Sequence, residues 1–253
     1  MNRADDRQVQ IPEHIRITLV ATRHPGNIGA SARAMKTMGV RQLALVAPSG
    51  FPSAEVTARA SGADDILARV RVYENLVDAT RDCGYVLGTS ARMRNIQWPL
   101  INPEQAARQI LQQALAGTAV AILFGTERTG LSNEDMELCN AVIEIPTDPE
   151  FSSLNLAAAV QIICYELRKA AMEQFAVTQA PVSKMPAATV EQMQLFYQQL
   201  EQYLRDIGYY HPGKPRLLMR RLKRIFNRIQ PDQSEYNILR GIFADAGKAE
   251  KEK

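Results

Sequence analysis

Phe151-Ser152-Ser153-Leu154-Asn155-Leu156 runs directly into Ala157-Ala158-Ala159-Val160, so two hydroxyls and a carboxamide stand where a helix of small apolar residues begins. The first turn of a helix leaves backbone N–H groups unpaired and carries a partial positive charge. Either Ser153 or Asn155 has the short polar side chain that caps such an end. Two more polar loops follow apolar strands: Asn27-Ile28-Gly29, leading to Arg33, and Gly125-Thr126-Glu127-Arg128-Thr129-Gly130-Leu131-Ser132. Hydroxyl, carboxamide and guanidinium groups suit a sugar–phosphate target. Aromatic rings that can stack on a base are limited in these loops to Phe124 and Phe151. Taken singly, each loop reads as turn chemistry, with Gly and Asn supplying positive φ.

The elements that must hold these loops alternate along the chain. Strands are expected at residues 15–20, 42–46, 70–73, 85–87, 119–124 and 141–145. Helical segments are expected at 27–38, 75–81, 103–115 and 153–172, with short helices and turns over 54–67. Pro103 suits the first turn of its helix. The run 119–124 is continuously apolar, as central parallel strands are. Alternation of this kind predicts an α/β fold with a parallel sheet covered on both faces. In such sheets ligands bind at loops leaving the carboxyl ends of strands, here 24–29, 88–92, 125–130 and 146–155. Past about Glu173 the composition changes: a linker with Pro181 and Pro186 precedes helices at 190–207, 216–229 and 234–246. The expected divisions are a flexible lead-in over 1–13, a sheet domain over 14–175, a linker over 176–187 and a small helical module over 188–253.

Composition narrows the class. Apolar residues make up 46% of 253, enough for a substantial core, and the formal net charge of +3 does not by itself indicate a nucleic-acid partner. Cys83, Cys139 and Cys164 are widely spaced with no CxxC pair, which points to reduced, buried thiols rather than a disulfide framework or a metal site. The beginning MNRADDRQVQ has no apolar signal core, and no stretch approaches membrane-spanning length. A cytoplasmic protein without a membrane partner is expected. Three familiar nucleotide motifs fail: Leu131 stands where a P-loop needs Lys, Gly26-Asn27-Ile28-Gly29 follows a strand rather than joining two helices, and no G-x-G-x-x-G occurs.

In this order, the loops around Asn27–Arg33, Gly125–Ser132 and Ser152–Asn155 resemble the three motifs of the SPOUT (SpoU-TrmD) RNA methyltransferases. They are most similar to the branch that methylates a ribose 2′-hydroxyl at nucleotide 32 of the tRNA anticodon loop, cytidine or uridine. The resemblance runs from about His14 to Arg168 and more loosely beyond. It implies a sheet domain with a C-terminal trefoil knot, S-adenosylmethionine as cofactor, tRNA as substrate and a homodimer in which Arg33 reaches the other subunit's site. It implies that Thr89, Ser90, Ala91, Gly125 and Ile145 hold the cofactor while Ser152, Ser153 and Leu154 close over its adenosine. Arg33 matches the catalytic arginine, with Asn27, Glu127, Ser153 and Asn155 supporting it. A guanidinium, with a pKa above about 12, is better suited to gripping a phosphate and stabilising alkoxide charge than to removing a proton. Arg23 stands where close relatives usually carry Ser, placing a positive charge at the RNA-binding edge. The other readings are a non-catalytic RNA-binding protein, or a 2′-O-methyltransferase for another tRNA or rRNA position; binding of S-adenosylmethionine separates the first of these.

Residues 214–228, KPRLLMRRLKRIFNR, hold seven basic side chains and no acidic one. Arg220, Arg224 and Arg228 recur at helical spacing as an expected phosphate-binding face. Leu218, Leu222, Ile225 and Ile229 form the expected packing stripe.

Overall fold

The structure, a computed structural model, describes residues 9–90, 98–176, 185–211 and 217–249. Strands β1 (Ile15–Val20), β2 (Gln42–Val46), β3 (Arg71–Tyr73), β4 (Tyr85–Thr89), β5 (Leu100–Ile101), β6 (Val120–Phe124) and β7 (Ala141–Ile143) form one sheet. Its order is β3-β2-β1-β6-β4-β7-β5, and every ladder is parallel. β5 was not legible in the sequence, because two residues carry no periodicity.

Helices are α1 (Pro25–Met38), α2 (Ala54–Ala60), α3 (Asp64–Leu67), α4 (Leu76–Thr80), α5 (Pro103–Leu115), α6 (Asn133–Met136), α7 (Leu156–Ala176), α8 (Val190–Asp206), α9 (Leu217–Ile229) and α10 (Gln233–Ala249). Side chains alternate across the strands, so each face of the sheet has its own core. Ile15, Ile17, Leu19, Ile122 and Leu87 pack against α1, α5 and α7. Val20, Val46, Val86, Leu123 and Val142 pack against α4, α6 and the turn after them, with Val190 of α8 joining from the C-terminal module. The sheet is therefore covered on both faces, as central parallel strands require.

Two expectations about chain ends need correction. Residues 9–13 are not a free lead-in: Val9 and Ile11 are buried, and the Val9 carbonyl accepts from Arg168 at 2.8 Å. The end of the expected linker is also packed, with Ala187 N–H donating to the Thr118 hydroxyl and Ala188 N–H to the Pro231 carbonyl. Cys83, Cys139 and Cys164 are free and buried. Burial pushes the Cys83 thiol up to about 12, so it is inert at neutral pH.

α8, α9 and α10 share a core of Phe196, Tyr197, Leu200 and Tyr236, with Leu222 and Phe226 packed against it. This module is fastened to the sheet domain. Asn227 is buried: its Nδ2 donates to the carbonyls of Glu137 and Cys139, and its Oδ1 accepts from the Tyr197 hydroxyl at 2.7 Å. Its own carbonyl accepts from Asn140, whose side-chain oxygen in turn accepts from Val86 N–H in β4.

Candidate active site

Strands β4, β6 and β7 lie side by side and end at the same edge, so the loops after them converge. They enclose a cavity of about 220 Å³ lined by Thr89 and Ser90, by 124–130, by Ile143 and Ile145, and by Ser152–Leu154, Leu156 and Ala159. Ser90 N–H donates to the Ile143 carbonyl, closing β4 against β7. The Thr89 hydroxyl donates to the Leu123 carbonyl at 2.9 Å, joining the end of β4 to β6. Ala91 lies outside the described residues.

Between β6 and α6 the chain folds back tightly. Thr126 and Gly130 exchange backbone hydrogen bonds at 3.3 and 2.9 Å, and the Thr126 hydroxyl accepts from Thr129 N–H. Gly130 has φ +70°, a turn role consistent with the expected one. Gly125 serves a different purpose: a Cβ there would lie 2.1 Å from the Gly130 carbonyl carbon and the Leu131 nitrogen. Gly29 is likewise helical rather than a turn, and a Cβ on it would meet the Val56 carbonyl at 2.1 Å. In both motifs the glycine permits close backbone approach.

This turn delivers Glu127 to the start of α1. His24 is the N-cap of that helix and gives no side-chain cap. Glu127 instead holds the residues that lead into it: its carboxylate accepts from Arg23 N–H at 3.2 Å, His24 N–H at 3.3 Å and Asn27 Nδ2 at 2.9 Å. Burial pushes the Glu127 carboxyl upward, but the donors from Asn27 and the backbone outweigh it and hold the group below the usual carboxylate range. The Asn27 oxygen then accepts from Asn155 Nδ2 at 3.0 Å. Asn155 settles the capping question, since its Oδ1 accepts from Ala157 N–H at 2.9 Å and Ala158 N–H at 3.4 Å. The Ser153 hydroxyl lines the cavity and has no partner among the described residues. Three motifs far apart in sequence are thus joined in one polar chain, Asn155 to Asn27 to Glu127, beside the cavity.

Arg33 is not part of this cluster. It is exposed on α1, outside the residues that line the cavity, and its side chain has no partner among the described residues. Arg23 contributes its backbone N–H to Glu127 while its side chain is exposed. The sequence reading missed Leu156 and Ala159 as cavity residues; their i, i+3 spacing on α7 was the available signal.

The described residues hold no cluster of His, Cys, Asp or Glu suited to a metal. Among them no helix is long and apolar enough to cross a membrane.

The region 14–165 matches the SpoU rRNA Methylase family. The chain belongs to that family. Residues 191–253 match the C-terminal domain of tRNA methyltransferase TrmJ. The tRNA (cytidine/uridine/adenosine-2′-O-)-methyltransferase TrmJ of Pseudomonas aeruginosa (strain UCBPP-PA14) is 47% identical over 245 residues, covering 93% of this chain and 95% of that protein. The tRNA (cytidine/uridine-2′-O-)-methyltransferase TrmJ of Photorhabdus laumondii is 42% identical over 236 residues, with 93% and 98% covered. The crystal structure of TrmJ from Z. mobilis ZM4 superposes with a TM-score of 0.79 at 36% identity, covering 92% of this chain and 98% of that one.

The C-terminal module departs from the expected basic face. Arg220 is not free for phosphate: it pairs with Glu137 at 2.6 Å, and Lys223 lies 3.8 Å from the same carboxylate. Arg224 is half-buried and Arg228 is exposed. The packing stripe is also rotated. Met219, Leu222, Phe226 and Asn227 turn inward, whereas Ile225 and Ile229 are 40% and 57% exposed. The reason is the polar anchor: seating Asn227 on the carbonyls of Glu137 and Cys139 fixes which face of α9 is buried.

Proposed function

We propose that this protein transfers a methyl group from S-adenosylmethionine to a ribose 2′-hydroxyl of tRNA, at cytidine or uridine 32 of the anticodon loop. The observation that carries this reading is the Asn155–Asn27–Glu127 chain beside a cavity at the ends of β4, β6 and β7. The walls suit an adenosine-bearing cofactor: Ile145, Leu154 and Leu156 offer apolar surface, while strand-end backbone and serine hydroxyls offer polar contacts. Thr89, Ser90, Ala91, Gly125, Ile145 and Ser152–Leu154 are the residues we assign to it. S-adenosylmethionine supplies an electrophilic methyl group on a sulfonium centre.

The protein's own part is positioning, which in favourable cases supplies roughly 7–11 kcal/mol of a reaction barrier. Ser153, whose hydroxyl is unengaged, orients the ribose. Asn27 and Asn155 hold the loops that present it. Glu127 orders this arrangement rather than removing a proton, because three N–H donors occupy its carboxylate. Arg33 stabilises alkoxide charge as the hydroxyl proton passes to solvent, and grips the neighbouring phosphate. Since Arg33 lies outside the cavity of its own chain, we assign it to the site of a second copy, which makes a homodimer the working unit. The segment 144–155, which brings Ser152–Leu154 to the cavity that the 125–130 turn also lines, closes the trefoil knot in this reading. Residues 14–175 form the catalytic domain, and 188–253 a tRNA-docking module in which Arg224 and Arg228, with Arg23 on the catalytic domain, meet phosphate. The setting is the cytoplasm.

Mass spectrometry of nucleosides from tRNA incubated with the protein and labelled S-adenosylmethionine tests the activity. Label in a 2′-O-methylated pyrimidine nucleoside is the expected result, and label confined to a base overturns the reading.

A further inference from the structure

Phe151 is 80% exposed, the highest value among the exposed large apolar side chains of the described residues. Its position is built rather than frayed. Phe151 N–H donates to the Asp148 carbonyl at 3.0 Å, and Asp148 Oδ1 accepts from Glu150 N–H at 2.8 Å. The Thr147 hydroxyl reaches over this turn to the Ser152 carbonyl at 3.3 Å. The ring therefore stands at the tip of a hydrogen-bonded turn, and the next three residues, Ser152–Leu154, line the cavity. Phe124, the aromatic residue lining that cavity, is 1% exposed and is spent in the core.

A ring presented to solvent beside a polar reaction site can meet a nucleobase, whose π face stacks on aromatic side chains in single-stranded RNA. Charge on the turn argues for a base rather than the sugar–phosphate backbone. Asp148 and Glu150 precede Phe151 on this turn, and their carboxylates disfavour phosphate there, while an uncharged base face is unaffected. We propose that Phe151 is the stacking platform for a nucleobase of the RNA substrate, next to the ribose that is methylated. This inference rests on the activity proposed above. Stacking is tolerant of base identity, so the platform contributes affinity and leaves discrimination to other groups.

The test compares Phe151→Ala, Phe151→Leu and Phe151→Trp in the full-length protein. The KM for tRNA and kcat are measured at saturating S-adenosylmethionine, together with equilibrium binding of tRNA, binding of S-adenosylmethionine and mass by sedimentation. The platform predicts tRNA binding weakened about ten-fold in the Ala variant and similarly in the Leu variant, which keeps apolar area without a π face. Trp should restore binding to within about three-fold, with kcat, cofactor affinity and mass unchanged in all three. Leu performing as well as Phe overturns the proposal, as does unaltered tRNA binding in Phe151→Ala. A fall in mass in Phe151→Ala also overturns it, because the ring then covers a contact with a second copy. Direct tRNA binding gives the platform a readout of its own. Failure of the parent protein to methylate tRNA counts against the activity instead.

Discussion

The Asn155 carboxamide donates to the Asn27 carboxamide oxygen at 3.0 Å, tying the start of α7 to the start of α1 across 128 residues of sequence. One side chain both caps a helix and bridges two motifs. Asn155→Ala should cost about 1 kcal/mol through the cap, a fall in Tm of roughly 2–4 °C. It should also lower kcat/KM far more than that change in stability accounts for. A thermal scan beside a methyl-transfer assay checks both; an intact kcat/KM with the lowered Tm would reduce Asn155 to a cap.

Glu127 makes the stability of this cluster depend on pH. Its carboxyl sits below the ordinary range, so its contribution is fully present above the unfolded value, near about 4.3, and fades as pH falls through the lowered one. Glu127→Gln cannot ionise. The Tm gap between parent and variant should be widest near neutrality and narrow below about pH 4. A gap that does not change with pH would mean that ionisation of Glu127 contributes nothing.

Arg33 is exposed and lies outside the cavity lining. Arg33→Ala should therefore leave S-adenosylmethionine affinity within a few-fold of the parent while lowering kcat by about 10²–10³, the usual cost of losing a group that stabilises developing charge. Calorimetric titration and single-turnover transfer separate these effects. Near-normal turnover would remove Arg33 from the reaction.

Much of this was legible before the fold was known. The central strands were readable because buried parallel strands are continuous apolar runs, and residues 120–124 form one. The loops were readable because their polar residues follow such runs. What escaped was set by contacts between distant segments. The roles of Gly29 and Gly125 depend on Val56 and Gly130 lying 2.1 Å from an added Cβ, which no local pattern encodes. The buried face of α9 was misread because a polar residue, Asn227, decides it through carbonyls about 90 positions earlier.

That anchor changes what the basic residues of α9 are expected to do. Arg228→Ala should reduce the salt dependence of tRNA binding by about one phosphate contact. Arg220→Ala should leave the salt slope nearly unchanged and instead loosen the module, because its partner is Glu137. Hydrogen exchange at residues 217–229 would report the loosening. The two arginines behaving alike in both measurements would contradict the assignment.

The account stands or falls on the acceptor atom. The most direct measurement uses a tRNA carrying a single 2′-deoxy substitution at nucleotide 32, with labelled S-adenosylmethionine and the full-length protein. Methyl incorporation should vanish with that substrate while tRNA binding weakens only slightly. Incorporation that persists undiminished would place the methyl group on a base or on another nucleotide, and would contradict the assignment of this site to the ribose of nucleotide 32.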